Sequence, residues 1–216
     1  MSKTTDDLIM SLSADVPKVA PGAVARRIGL GLGVGGLASA AVMLAWLGPR
    51  PDLPQAVLTP MFWMKVGYAA ATGLIAAGLL ARMARPGARA GRLAAVAVAP
   101  FVLVVAMALA RLAEAPPPMR HDLLMGHTSM LCPWRILVMA IPLLAGAVWA
   151  VRGLAPTRLA LAGLVAGGCA GGIGAAIYAF ACDETSAPFL AIWYTLGMVL
   201  VAVVGAAAGS RLLRWR

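Results

Sequence analysis

The sequence predicts an all-α protein: a polytopic membrane protein folded as a six-transmembrane-helix bundle with both termini cytoplasmic. Three observations predict it. Of the 216 residues, 62% are hydrophobic and 12% charged, where a soluble domain averages about 45–50% and about 25%. The apolar residues gather into six continuous runs, each near the roughly 20 residues that a helix needs to cross the hydrocarbon core. The basic residues, finally, alternate between the connections as the positive-inside rule demands. A membrane barrel would instead show alternating segments of about ten residues.

Residues 1–27 are read as a cytoplasmic N-terminal tail and residues 28–216 as the transmembrane domain. In the tail, Thr4 stands three positions before Asp7, the spacing of a capping box. Leu8, Ile9, Leu12 and Val16 then share one helical stripe, and Pro17 stops the helix. About ten residues cannot hold a helix alone in water. This short amphipathic helix is therefore expected to order by laying its stripe in a groove of a protein partner. The competing reading rests it on the bundle or on lipid, which its leading Asp6 and Asp7 disfavour at an anionic membrane. Asp6, Asp7 and Asp15, with no basic segment before an apolar core, do not make a signal peptide.

The spans are expected at about Ile28–Leu47, Met61–Ala81, Leu93–Leu112, Leu131–Val151, Leu159–Ala181 and Pro188–Leu213. An even number of crossings returns the chain to its starting side. That side holds Lys3, Lys18, Arg26, Arg27, Arg82, Arg85, Arg89, Arg92, Arg152, Arg158, Arg211, Arg214 and Arg216, which is 13 of the 18 basic residues. The other holds Arg50, Lys65, Arg111, Arg120 and Arg135 with five of the eight acids, Asp52, Glu114, Asp122, Asp183 and Glu184. The bias places the termini in the cytoplasm. It also accounts for the net charge of +10 without direct nucleic-acid binding.

Pro49, Pro51, Pro54 and Pro60 in the first outer loop, and Pro116, Pro117 and Pro118 in the second, read as stiff connectors. Trp63, Trp134 and Trp193 near the outer interface and Trp215 near the inner one fit an aromatic belt. Gly163, Gly167 and Gly171, with Gly168 and Gly172 beside them, Gly31 and Gly35, and Gly205 and Gly209 repeat every four residues. Such spacing lets helix backbones approach closely in lipid. Packing within the bundle is the preferred reading, and a homo-oligomer through these glycine-rich helices the other.

Chemistry concentrates in two cysteines. Cys132 opens span four and Cys182 closes span five, and the short loop of about Arg152–Arg158 makes these spans antiparallel neighbours. Their outer ends are then side by side. Helix axes 8–10 Å apart allow the roughly 4.4–6.8 Å between Cα atoms that a disulfide needs. A transient soft metal ion at Cys132 and Cys182, completed by His127 with Asp183, is the alternative, and two unpaired small apolar residues the plainest reading. Cys169, in mid-span among glycines, is read as packing. Lys65 lies near the interface and is expected to snorkel. No HExxH, CxxC or GxSxG occurs. A quinone-linked thiol oxidoreductase would need two dithiol pairs, which three cysteines without CxxC argue against, and no resident cofactor is expected. A small transporter or metal-efflux component would carry acids inside its spans, whereas every Asp and Glu here falls in a loop or the tail.

In this order along nearly the whole chain, Thr5-Asp6-Asp7-Leu8-Ile9, Arg50-Pro51-Asp52-Leu53, Phe62-Trp63-Met64-Lys65, Cys132-Pro133, Leu154-Ala155-Pro156-Thr157-Arg158, Cys182 and Trp193-Tyr194-Thr195-Leu196-Gly197 resemble the NrsF family of membrane anti-sigma factors. The resemblance implies a non-enzymatic regulator whose partners are the lipid bilayer and an extracytoplasmic-function sigma factor. It further implies that Cys132 and Cys182 sense oxidative or heavy-metal stress, and that Asp6, Asp7, Leu8, Ile9 and Leu12 are candidates for the sigma contact.

Overall fold

The computed structural model describes residues 4–14, 20, 22–83, 91–154 and 156–214. The expectations at Asp15, Val16, Pro17, Arg85, Arg89, Ala155, Trp215 and Arg216, and at Lys3 and Lys18, lie outside the described residues.

Eleven helical segments, and no strand, occur among the described residues: α1 (Thr5–Ala14), α2 (Ala23–Trp46), α3 (Leu53–Ala56), α4 (Pro60–Met83), α5 (Gly91–Val96), α6 (Ala99–Glu114), α7 (Pro117–Met125), α8 (Cys132–Arg152), α9 (Leu159–Tyr178), α10 (Ala187–Phe189) and α11 (Thr195–Leu212). A π-helical turn, Leu190–Tyr194, joins α10 to α11. Six helices are long and apolar enough to cross a membrane: Ala23–Trp46, Pro60–Met83, Gly91–Glu114, Cys132–Arg152, Leu159–Tyr178 and Ala187–Leu212. They match the six predicted spans within a few residues at most ends, although the first begins five residues earlier, at Ala23.

Local chemistry explains the boundaries. Leu47 and Gly48 both donate to the Met43 carbonyl. Gly48 then turns with φ 69°, and Pro49 cannot continue the helix. Span three breaks after Val96 because Pro100 has no N–H to return to the Val96 carbonyl. The run Pro116-Pro117-Pro118 is more than a stiff connector. Pro117 and Pro118 occupy the first turn of α7, where a missing N–H and a fixed φ favour helix.

Span five, α9, is the hub, packing against α4, α8 and α11. Glycine sets those distances. A Cβ on Gly163 would run into the backbone of Gly205 and Gly209, and one on Gly167 into that of Val201 and Ala202. Gly172 meets Gly73 of α4, and Gly31 meets Gly146 of α8. The stripes considered for self-association are thus occupied by helices of the same chain. Pro142 interrupts the hydrogen bonds of α8, and Ser39 of α2 donates to the adjoining Met139 carbonyl at 2.7 Å. Two buried clusters result. One holds Ile28, Leu80, Ala147, Val151, Ala162 and Leu213. The other, toward the opposite end, holds Met43, Tyr68, Cys132, Tyr178, Cys182 and Tyr194.

Candidate functional site

The connections between spans one and two, three and four, and five and six meet at one end. The keystone is the segment from Ala179 to Ser186, which peels away from the end of α9. Its carbonyls are captured by two cations. Lys65 Nζ donates to the Cys182 carbonyl at 2.8 Å and the Glu184 carbonyl at 2.7 Å. Arg50 donates from Nη1 to the same Cys182 carbonyl at 3.0 Å, from Nη2 to the Asp183 carbonyl at 3.4 Å, and from its backbone N–H to the Phe180 carbonyl at 3.0 Å. Phe62 of α4 packs edge-on against Phe180, ring centroids 5.3 Å apart.

Lys65 therefore does not snorkel. It is 1% exposed, because the backbone of a distant segment supplies acceptors that make burial of its charge tolerable. Arg50 is buried as well, its outer edge forked onto the exposed Asp52 carboxylate with both contacts at 2.6 Å. Asp52 holds the Arg50 guanidinium above its ordinary pKa, and Arg50 holds the Asp52 carboxyl below the usual carboxylate range.

Glu184 fastens the same segment to the connection between spans three and four. Its Oε1 accepts from the His127 N–H at 2.6 Å, the Thr128 N–H at 2.9 Å and the Thr128 hydroxyl at 3.0 Å. Gly126 is required there: its φ is 54°, and a Cβ would press into the Glu184 carboxylate. Ser186 Oγ and Trp193 Nε1 hold α7 through the Leu123 and Leu124 carbonyls, at 2.6 and 2.9 Å. Trp193 is thus tied inward, whereas Trp63 and Trp134 project outward as belt residues would.

Beneath this lattice lie both cysteines, Cys132 0% and Cys182 1% exposed, unbonded and in one contiguous cluster with Tyr178 and Tyr194. The two tyrosine rings stack at 5.9 Å, Arg135 Nη1 approaches the Tyr178 hydroxyl at 3.5 Å, and Lys65 Nζ stands 5.8 Å from the Tyr194 ring centroid. The Tyr194 hydroxyl is buried with no hydrogen-bond partner among the described residues. The π turn that carries Tyr194 is fixed at its far end by Thr195, whose hydroxyl lies 2.6 Å from that of Tyr68; such turns often mark functional positions. Among the described residues, no three His, Cys, Asp or Glu side chains form a metal-binding group. His127 meets Glu184 through its backbone, and the structure brings neither it nor Asp183 into a metal group with the thiols. Cys169 is buried in mid-span, outside this cluster.

The predicted partner-binding residues lie on α1. Thr4 and Asp7 form the expected reciprocal cap: Thr4 Oγ1 donates to Asp7 Oδ2 at 2.7 Å, and the Asp7 N–H returns to Thr4 Oγ1 at 3.3 Å. The Thr4 hydroxyl and N–H hold the Asp7 carboxyl below its usual range. Every residue of α1 is exposed. Leu8, Ile9 and Leu12, at 50%, 57% and 66% exposure, form a bare apolar stripe beside Asp6 and Asp7.

Lys65, Arg50 and Glu184 were not singled out from sequence as a site. The only signals were the place of Arg50 and Lys65 in segments that carry the family resemblance and, for Lys65, a charge within an apolar run; Glu184 gave none.

Comparison with known proteins gives a consistent picture. The profile of the NrsF family, described as "Negative regulator of sigma F", matches residues 12–215. The "Anti-sigma-F factor NrsF" of Caulobacter vibrioides is 41% identical over 214 residues, covering 98% of this chain and 99% of that protein. The "Probable anti-sigma-F factor NrsF" of Azospira oryzae is 40% identical over 213 residues, with the same coverage. No solved structure matches.

Proposed function

The chain belongs to the NrsF family of negative regulators of sigma F, and on that premise we propose a membrane-embedded anti-sigma factor of the bacterial inner membrane. It sequesters an extracytoplasmic-function sigma factor at its cytoplasmic face. It releases that factor when oxidative or heavy-metal stress changes Cys132 and Cys182 on the periplasmic side.

The observation that carries this reading is the bare stripe of α1. A capped helix with Leu8, Ile9 and Leu12 exposed has everything needed to lie in a groove of a soluble partner. Asp6 and Asp7 flank the stripe and offer charge to basic residues around such a groove. The basic residues of the 2–3 and 4–5 connections, Arg82, Arg92, Arg152 and Arg158 among them, extend the contact toward acidic patches of the partner.

The cysteine pair supplies the input. Two thiols in one buried cluster, at the mouths of neighbouring antiparallel helices, respond to an oxidant by bonding to each other or to a soft metal ion by sharing it. Either event changes packing at the ends of α8 and α9. Driving sequestration from 99:1 to 1:99 requires about 5.5 kcal/mol of differential stabilisation, within the reach of a covalent or coordinate bond.

Affinity purification of the solubilised, tagged chain with and without residues 1–22 tests the reading. A sigma factor is expected with the full chain and not with the truncated one. Full-length protein from unstressed cells that retains no sigma factor would sink the proposal.

A further inference from the structure

We propose that Lys65 and Arg50 are the positioning residues through which Cys182 acts on spans one and two, and so on the tail that precedes span one. This rests on the function proposed above and supplies the step that it leaves open. The cysteines belong to spans four and five, whereas the tail leads into span one.

Besides the direct packing of α2 on α8, the geometry joins spans one and two to the residue that bears the sulfur. The Cys182 carbonyl, on the residue that carries the sulfur, is held by Lys65 Nζ at 2.8 Å and by Arg50 Nη1 at 3.0 Å. Lys65 stands on α4, the second span, and Arg50 follows α2 by four residues. The Glu184 and Asp183 carbonyls add a second grip for each cation. No hydrogen bond among the described residues ties the side chains of spans four and five to α1 (Thr5–Ala14) directly.

Lys65 is also costly to bury, and an apolar residue at this depth would need no carbonyl partners. Its burial is explained if displacing those carbonyls has a consequence. When Cys182 is drawn toward Cys132 or a metal ion, its backbone shifts, and the cations on spans one and two must follow it or lose their acceptors. The clamp belongs to the sequestering state, so weakening it favours release.

The test measures transcription from a promoter served by the retained sigma factor, in unstressed cells and in cells given diamide or cadmium chloride. Membrane levels are followed by immunoblot. Lys65→Met is expected to accumulate and to raise unstressed transcription about tenfold or more, as hydrogen bonds to a charged group are lost. The rise should persist when Cys132→Ser and Cys182→Ser are added, because Lys65 acts downstream of the sulfurs. Normal basal and induced transcription in Lys65→Met at wild-type level overturns the route. So does a rise that vanishes in the cysteine-free background. Should Lys65→Met fail to accumulate, Arg50→Gln decides: it lies in a connection, and basal transcription should rise, while Asp52→Asn, which spares the carbonyl contacts, should stay near wild type. No rise in Arg50→Gln refutes the clamp. A parent chain that retains no sigma factor overturns this inference and the proposed function together, a result distinct from failure of the variants alone.

Discussion

The cysteine-bearing end and the N-terminal helix break the ordinary rules of burial in opposite senses. At the cysteine end, Lys65, Arg50 and Glu184 are charged yet buried, and each is met by hydrogen-bond partners from another connection. In α1, Leu8, Ile9 and Leu12 are apolar yet exposed, and nothing among the described residues covers them. Buried charges fix one geometry, because each must keep its partners or bear the cost of desolvation. Exposed apolar groups on a short helix fix none, and await a surface. The difference divides the molecule into a part that holds a conformation and a part that offers a contact.

The largest expected effect falls on the part that offers the contact. Leu8→Asp with Leu12→Asp should abolish sigma retention. Burying a leucine is worth about 1.5–3 kcal/mol, so losing two weakens binding roughly 100-fold or more. The thermal midpoint of the purified chain should not move, since both residues are exposed. A parallel loss of stability would mean that α1 is covered by its own bundle, and the division would fail. Next comes Cys132→Ser with Cys182→Ser. The pair of hydroxyls cannot form a disulfide or grip a soft metal, so the chain should stay locked in the sequestering state, with transcription unresponsive to stress and retention intact. A normal response would remove the cysteines as sensors.

Glu184→Gln probes the holding part alone. Its carboxylate accepts three hydrogen bonds around His127 and Thr128, and charge-assisted bonds are roughly twice as strong as neutral ones. A loss of about 1–2 kcal/mol is expected, or about 2–8 °C in a chain of this size, read by thermal unfolding in detergent. An unchanged midpoint would show that the buried carboxylate is not what pins the segment.

The sequence made one part far more legible than the other. Six spans follow from apolar runs and arginine bias, and the shared end of Cys132 and Cys182 follows from the parity of the crossings. The cap of α1 is legible too, because Thr4 and Asp7 are neighbours in sequence. Glycine spacing announced close helices, and their partners proved to lie within the chain. The burial of Lys65 was not legible. Its acceptors are the carbonyls of Cys182 and Glu184, more than a hundred positions away, and backbone carbonyls leave no mark in a sequence. Arg50 and Glu184 were missed for the same reason: their side chains were visible, but the loop geometry that meets them was not.

The smallest effect separates the ion pair from the clamp. Arg50 lowers the folded-state pKa of Asp52, so this pair stabilises the fold fully above the ordinary aspartate value of about 4. The contribution is lost as pH falls through the lowered folded value. Between pH 8 and 5 it should stay constant. At neutral pH, Asp52→Asn should depress the thermal midpoint by less than Glu184→Gln does, since Asp52 is exposed and exposed pairs contribute little. Below the ordinary aspartate value the variant and the parent should draw together, and they converge once the pH has passed the lowered folded value and the parent has neutralised the same carboxyl. Arg50 stays charged throughout and keeps the Cys182 carbonyl, so sigma retention by the variant should match the parent at neutral pH. If the two midpoints instead diverge on acidification, the carboxylate is not acting through Arg50. If Asp52→Asn releases the sigma factor, the fork onto Asp52 rather than the grip on the carbonyls orients Arg50. The holding part would then reach to the surface and not stop at the buried cations.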